Sequence, residues 1–132
     1  MVGGAVHRAA RAAIERLYDG RCTAIVRKGS VNPVTKRTEF GESELYIDQP
    51  CRLSFGRSKN ITGDGAVASV SQAVSLFIAP ELSIPEGTKI IVTQSGVTTA
   101  YSNSGTPSIY PTHQEIQLSL FERWASGKKN QD

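Results

Sequence analysis

The sequence has few of the residues that most often carry chemistry: of its 132 residues, two are cysteine and two are histidine. A small domain stapled by disulfides usually has four or more cysteines, and a zinc site needs cysteine and histidine at short, regular spacings. Cys22 and Cys51 stand among apolar residues, which predicts reduced thiols in the core. The sequence therefore predicts no disulfide framework, no metal and no cofactor.

Long apolar runs and an excess of one charge are also missing. No segment approaches the roughly 18 apolar residues of a membrane-spanning helix, and the first residues lack the apolar stretch of a secretory signal. We therefore expect no membrane contact and synthesis in the cytoplasm. The 15 basic residues against 12 acidic ones give a net charge of +3, without the dense basic stripe that duplex-binding domains carry.

No arrangement of side chains favours catalysis. Cys51 with His113 would supply a nucleophile and a base for a small hydrolase, but the residues around them do not support the pair. Carboxylates are scattered, without a pair suited to acid–base work. The glycine-rich stretch 56–65 lacks the Gly-Lys-Ser/Thr ending of a phosphate-binding loop. We expect a protein that is not an enzyme.

Apolar residues recur at spacings of three and four near the start of the chain, which predicts a helix within residues 1–20. Asp19 and Gly20 are predicted to end it, because glycine readily adopts the left-handed conformation of a helix cap. The apolar stripe is narrow, and either the rest of the domain or a neighbouring subunit would cover it. The stripe comprises Val2, Val6, Ala9, Ala10, Ala13, Ile14 and Leu17.

From residue 21 onward the apolar period changes to two, which is typical of strands with one buried face. About six to eight short strands with frequent turns predict a mainly β fold, a small antiparallel β-barrel over residues 21–124 that follows the single N-terminal α-helix. Residues 28–37 are predicted to form a polar hairpin loop and Trp124 to close one end of the core. Residues 125–132 are predicted to be a disordered tail.

Residues 56–72 contain three glycines and three serines and are predicted to form a long flexible loop. Loops longer than about 12 residues are uncommon in compact domains and are usually functional or disordered. The segment is therefore either a working element or a solvated connection without a role of its own.

Five stretches are more specific than a generic β pattern: QPCRLSF at 49–55, LFIAP at 76–80, IPEGTKI at 84–90, SG at 104–105 and YPTHQEI at 110–116. In order and spacing they resemble the head-closure family of tailed phages and prophages, also called stopper, head-completion or head–tail connector proteins. The resemblance covers roughly residues 17–123. PCRLS and THQEI are its most specific parts, and the N-terminal helix and the tail lie outside it.

This resemblance implies a structural role in the virion, at the head–tail interface, with no catalytic residues. It implies a small β-barrel whose copies form a ring, expected to be a hexamer, below the portal and its adaptor ring. The ring would retain packaged DNA, touching it without sequence specificity, and would offer a docking face to tail proteins. Since such rings often form only on a template, the free protein is expected to be a monomer in solution.

Within this family the predicted loop gains a role as a channel gate. Copies of one loop that point toward a symmetry axis would meet in the lumen and pair edge to edge as short strands. Valines favour such pairing, glycines allow hinging, and the basic residues would reach DNA phosphates. The proposed gating residues are Arg57, Lys59, Asn60, Ile61, Gly63, Gly65, Val67 and Val70.

The hairpin loop 28–37 is a candidate docking element. Its basic residues would meet an acidic adaptor or tail surface, although a charged hairpin is often only solvated. The docking residues are Lys28, Asn32, Lys36 and Arg37. The alternative function is an OB-type barrel that binds nucleic acid through aromatic side chains on one face.

Overall fold

The computed structural model describes the backbone of residues 2–62 and 67–124, and the side chains of residues 7–56 and 73–124. One helix, α1 (Val2–Glu15), precedes seven strands. They are β1 (Gly20–Val31), β2 (Thr38–Thr62), β3 (Val67–Ile78), β4 (Lys89–Gln94), β5 (Val97–Asn103), β6 (Ser108–Ile109) and β7 (Gln114–Leu120). The predicted tail, 125–132, lies outside the described residues. In the part that is described, no helix is long and apolar enough to span a membrane.

The strands form one antiparallel sheet that closes on itself. Their order is β3-β2-β1-β4-β5-β7-β6, and β7 also pairs with β3 from Val74–Leu118 to Ile78–Gln114. Six strands therefore form a closed ring, and the short β6 adds to the first residues of β7. The predicted mainly β fold with antiparallel strands and a single N-terminal helix is confirmed.

The interior of the closed ring is mainly apolar because alternate residues of the strand segments that build it point inward. In β7 the inward positions are Gln114, Ile116 and Leu118, and in β4 they are Ile90 and Val92. Burial of a valine, leucine or isoleucine side chain typically contributes about 1.5–3 kcal/mol. The buried cluster comprises Cys22, Cys51, Leu53, Leu76, Ile78, Ile84, Ile90, Val92, Tyr101, Ile116 and Leu118.

Two buried amides hold the connection between β3 and β4, which has no strand of its own. Gln114 donates through Nε2 to the carbonyls of Ala79 (2.8 Å) and Leu82 (2.6 Å). Asn103 donates through Nδ2 to the carbonyls of Ile84 (3.0 Å) and Pro85 (3.2 Å). Because these amides satisfy carbonyls that no strand partner reaches, the connection can pack against the core without leaving polar groups unpaired.

Two hairpin arms leave the closed ring. We call residues 26–43 the first arm, because β1 pairs only with β2 beyond Ile25. We call residues 57–62 and 67–72 the second arm, because there β2 and β3 pair only with each other. Both arms share β2, a strand of 25 residues with a contour length of about 80 Å. Since the first arm precedes and the second follows the part of β2 in the ring, they leave from its two ends.

The prediction of a loop over residues 56–72 is wrong for the described backbone. Pairing of β2 with β3 continues from Gly56–Ala73 to Thr62–Val67. Strand preference depends on the partner as much as on the residue. Backbone pairing with β3 in a continuous register therefore outweighs the low strand preference of the glycines and serines that predict a loop. Gly63 and Gly65 lie outside the described residues.

Three smaller predictions are also wrong. β1 runs to Val31, so that Lys28 lies in a strand and the turn of the predicted 28–37 loop is confined to 32–37. Gly20 begins β1 instead of capping the helix; a Cβ there would lie 2.9 Å from Oε1 of Gln94, so close packing explains the glycine. Trp124 is not part of the buried cluster.

Candidate interaction surfaces

The turn of the first arm is built by one asparagine. Oδ1 of Asn32 accepts hydrogen bonds from the backbone N–H groups of Val34 (2.8 Å) and Thr35 (3.1 Å). Its backbone carbonyl accepts from the N–H of Lys36 (2.8 Å), which adopts a left-handed φ of 63°. Asn32, predicted as a docking residue, therefore shapes the turn.

The structure brings the basic docking residues to the surface of the first arm. Lys28, Lys36 and Arg37 are exposed, and none forms a salt bridge with another described residue. Exposed apolar side chains accompany them, with Val31 at 64% and Val34 at 86% exposure. An exposed basic tip with uncovered valines is suited to contact with another protein.

The predicted gating residues fall on two paired strands of the second arm. At the backbone level Arg57 lies opposite Gln72, Lys59 opposite Val70, and Ile61 opposite Ala68. Asn60 pairs with Ser69, and Val67 with Thr62. The structure therefore brings six of the eight together on one hairpin, and only Gly63 and Gly65 fall outside the description.

An open groove of about 1120 Å³ lies between the first arm and the end of the closed ring. On the arm side, the Arg27 guanidinium lies 4.4 Å from the centre of the Phe40 ring, a cation–π contact. On the ring side, Leu120 is 65% exposed. The groove therefore presents apolar surface next to charged groups.

One carboxylate ties the first arm to the segment after β7. Oε2 of Glu42 accepts from Nε1 of Trp124 (3.1 Å) and from Nζ of Lys89 (3.2 Å). These hydrogen bonds, that of Trp124 first, lower the pKa of Glu42. Phe121 packs edge-on against Trp124, with ring centres 5.1 Å apart. No sequence pattern indicates this contact, because it joins residues far apart in the chain.

The C-terminal half of α1 is attached to the connection between β3 and β4, and the residues after α1 are attached to β2. Arg11 donates to both carboxylate oxygens of Glu81 (2.7 and 2.6 Å) and to Glu15 (2.7 Å), and the Arg11 hydrogen bonds lower the pKa of Glu81. After the helix, Nη1 of Arg52 donates to the carbonyl of Leu17 (3.2 Å). Burial raises the pKa of Tyr18 to about 12.

The ring leaves most of the described helix stripe uncovered. Ala9, Ala10 and Ala13 are exposed, and Leu17 is 58% exposed, while Ile14 is half-buried. Of the two predicted partners for the stripe, the ring of the same chain therefore covers only the part around Ile14.

The residues considered for catalysis lie in places that explain them as packing groups. Cys51 is fully buried, and the Cys22 thiol and burial raise its pKa well above the usual range, which disfavours the reactive thiolate. His113 stacks on Tyr110 with ring centres 4.9 Å apart. Its Nδ1 lies 2.9 Å from Oγ1 of Thr112. Within the described residues, no three His, Cys, Asp or Glu side chains are placed to hold a metal ion.

In the described part of the chain the aromatic side chains lie in separate places: Phe121 packs against Trp124, and Phe77 and Tyr110 lie against His113. Tyr101 is buried, whereas Phe40 and Phe55 are exposed in two different halves of β2. Stacking of successive bases needs several aromatic side chains on one face, and these positions do not supply such a face.

Taken together, the fold is a closed ring of antiparallel strands with a tethered helix and two hairpin arms. No family model matches the chain, and no curated protein matches it. Among solved structures, the phage-like element PBSX protein xkdH from Bacillus subtilis is similar at 13% sequence identity and a TM-score of 0.46. The similarity covers 76% of this chain and 91% of that one, and it is too distant to transfer a function.

Proposed function

We propose that this protein is a structural component of the head–tail connector of a tailed phage or prophage. Copies form a ring below the portal and its adaptor, close the channel to retain packaged DNA, and dock the tail. The observation that carries the proposal is the placement of two arms at the two ends of one closed ring. A connector needs such a division, because it faces the head on one side and the tail on the other.

The sequence resemblance and the fold support the same assignment. The most specific stretches, PCRLS and THQEI, lie in the closed ring: Cys51 and Leu53 are buried, and Gln114 fixes the connection between β3 and β4. These stretches therefore specify the shared framework. The arms are the parts that remain free to contact other subunits.

The second arm is the proposed channel gate. Its strands are paired up to Thr62 and Val67, so it is a ribbon whose outer edges carry unpaired backbone groups. Copies of such a ribbon that surround a channel can pair edge to edge and narrow it. Arg57 and Lys59 provide positive charge for weak contact with DNA phosphates.

A shortened second arm tests the gate. Because Lys59 and Val70 are paired, residues 60–69 can be replaced by Asn-Gly, which forms a two-residue hairpin turn. We expect tailed heads that lose their DNA, scored as the fraction of filled heads in electron micrographs. The matched control keeps the length of the arm and changes only two residues outside the gating set, Ala68→Ser and Ser69→Ala, and should keep the heads filled. Heads of the shortened variant that stay as full as those of the control would rule out a gate.

The tip of the first arm is the proposed docking element for an acidic adaptor or tail surface. Reversing Lys36 and Arg37 to Glu should reduce head–tail joining by tenfold or more, because like charges then meet across the contact. Joining is measured by in vitro assembly of purified heads and tails. The control exchanges both residues for the opposite basic residue, Lys36→Arg and Arg37→Lys. Normal joining by the Glu variant would exclude the docking role.

A further inference from the structure

The first arm exposes two unpaired strand edges. Over residues 26–31, β1 pairs with β2 alone, because its pairing with β4 ends at Ile25–Lys89. Over residues 38–43, β2 pairs with β1 alone, because its pairing with β3 begins at Cys51. Open edges of this kind accept further strands unless something prevents it.

The two edges carry opposite charges. The β1 edge, residues 26–31, contains Arg27 and Lys28 and no acidic residue. The β2 edge, residues 38–43, contains Glu39 and Glu42 and no basic residue. All four side chains are exposed. Like edges therefore repel one another, and unlike edges attract.

This division of charge selects the kind of contact between two copies. A two-fold dimer would place an edge against its own equivalent and bring like charges together. A head-to-tail contact places the β1 edge of one copy against the β2 edge of the next, and repeated contacts of this kind form a ring when the rotation between neighbouring copies closes. The strands of each arm are antiparallel, so neighbouring arms in the same orientation also meet in an antiparallel way.

We propose that the first arm joins copies of this chain head to tail, with the β1 edge of one arm paired to the β2 edge of the next. Each contact adds a short backbone ladder and brings Lys28 of one copy toward Glu39 of the next, while Glu42 stays bonded to Trp124 and Lys89 of its own chain. The groove beside Val26 and Arg27 leaves space for the incoming strand. The partner is a second copy of this chain, so this contact rests on the proposed function, in which copies form a ring of subunits.

Single-cysteine variants test the contact directly. Ser30→Cys marks the β1 edge, and Gly41→Cys marks the β2 edge at a position where a Cβ meets nothing within 4 Å. Both lie on the face of the arm that carries Lys28 and Glu39, since Lys28 pairs with Gly41 and Ser30 with Glu39. On purified heads that lack this chain, which serve as the template for the ring, a mixture of the two variants treated with a short bismaleimide should form cross-linked dimers at least tenfold faster than either variant alone.

A charge exchange between two molecules separates association from folding. Adding Lys28→Glu to the Ser30→Cys chain should suppress the mixed product at least tenfold. Adding Glu39→Lys to the Gly41→Cys chain should then restore it, although within each chain the altered residues now face a like charge. No mixed product, equal yields from like and unlike edges, or no restoration would overturn the inference. The proposed connector function would still stand after that result if the gate variants behave as expected. The ring of subunits would then form through other surfaces.

Discussion

At the residue scale, Gly20 shows how a missing side chain can determine packing. The carboxamide of Gln94 occupies the space beside Gly20 and imitates a strand partner for Leu53. Its Oε1 accepts from the Leu53 N–H at 2.7 Å, and its Nε2 donates to the Leu53 carbonyl at 3.3 Å. A Cβ at Gly20 would lie 2.9 Å from that Oε1 and 3.2 Å from the carbonyl oxygen of Cys51.

We therefore expect Gly20→Ala to lower the free energy of unfolding by about 1–3 kcal/mol, the usual cost of overpacking. Urea unfolding followed by tryptophan fluorescence measures the change. Gly41→Ala is the control, because a Cβ at Gly41 meets nothing within 4 Å. Equal stabilities of the two variants would contradict the role given to Gly20.

Residues also show where sequence patterns suffice. The Ser-Gly pair at 95–96, which follows a β-branched run, predicts a tight hairpin turn, and both residues have positive φ (53° and 78°), as a type I′ turn requires. The role of Gln114 was missed, although it occupies an inward position of an alternating strand. A polar residue in such a position signals a buried hydrogen-bonding role, but its acceptors on Ala79 and Leu82 are visible only in the fold.

At the element scale, the Arg11–Glu81 pair governs how the helix rests on the ring. Since the pair lowers the pKa of Glu81, its stabilising effect is present above the ordinary glutamate pKa of about 4.3. The effect is lost as the pH falls through the lowered pKa. The pair is exposed, so we expect little change in global stability.

Glu81→Gln should therefore increase amide hydrogen exchange in α1 at neutral pH while the exchange of ring strands stays unchanged. In the parent protein, the same increase should occur only when the pH falls below about 4. Glu15→Gln is the control, because it removes the other carboxylate that Arg11 contacts and leaves the pair with Glu81. Unchanged exchange in Glu81→Gln would contradict the tether.

Strands in the ring were easier to predict than the arms. In β7 the apolar residues alternate in the sequence as their burial does in the structure, and in β4 a β-branched run coincides with a strand. In the first arm the exposed end of β1, residues 27–31, has no buried face to impose such a pattern. Its strand structure comes from the partner strand, which sequence periodicity does not record.

At the scale of the whole molecule, topology supplies what local patterns lack. That β7 pairs with both β3 and β5 closes the sheet, and this closure makes the arms the prominent open edges of the described fold. The candidate surfaces were predicted as two segments, 28–37 and 56–72. Their construction from one shared strand, β2, and the charge division of the first arm could not be derived before the strand pairing was known.

In the proposed function, this chain closes and completes a phage head. The most direct measurement is electron microscopy of particles made by a phage or prophage that encodes it, with and without the chain. We predict that its absence yields tailless heads that leak their DNA, and that adding the purified protein before the DNA is lost restores tail joining. Filled, tailed particles in its absence would contradict the account.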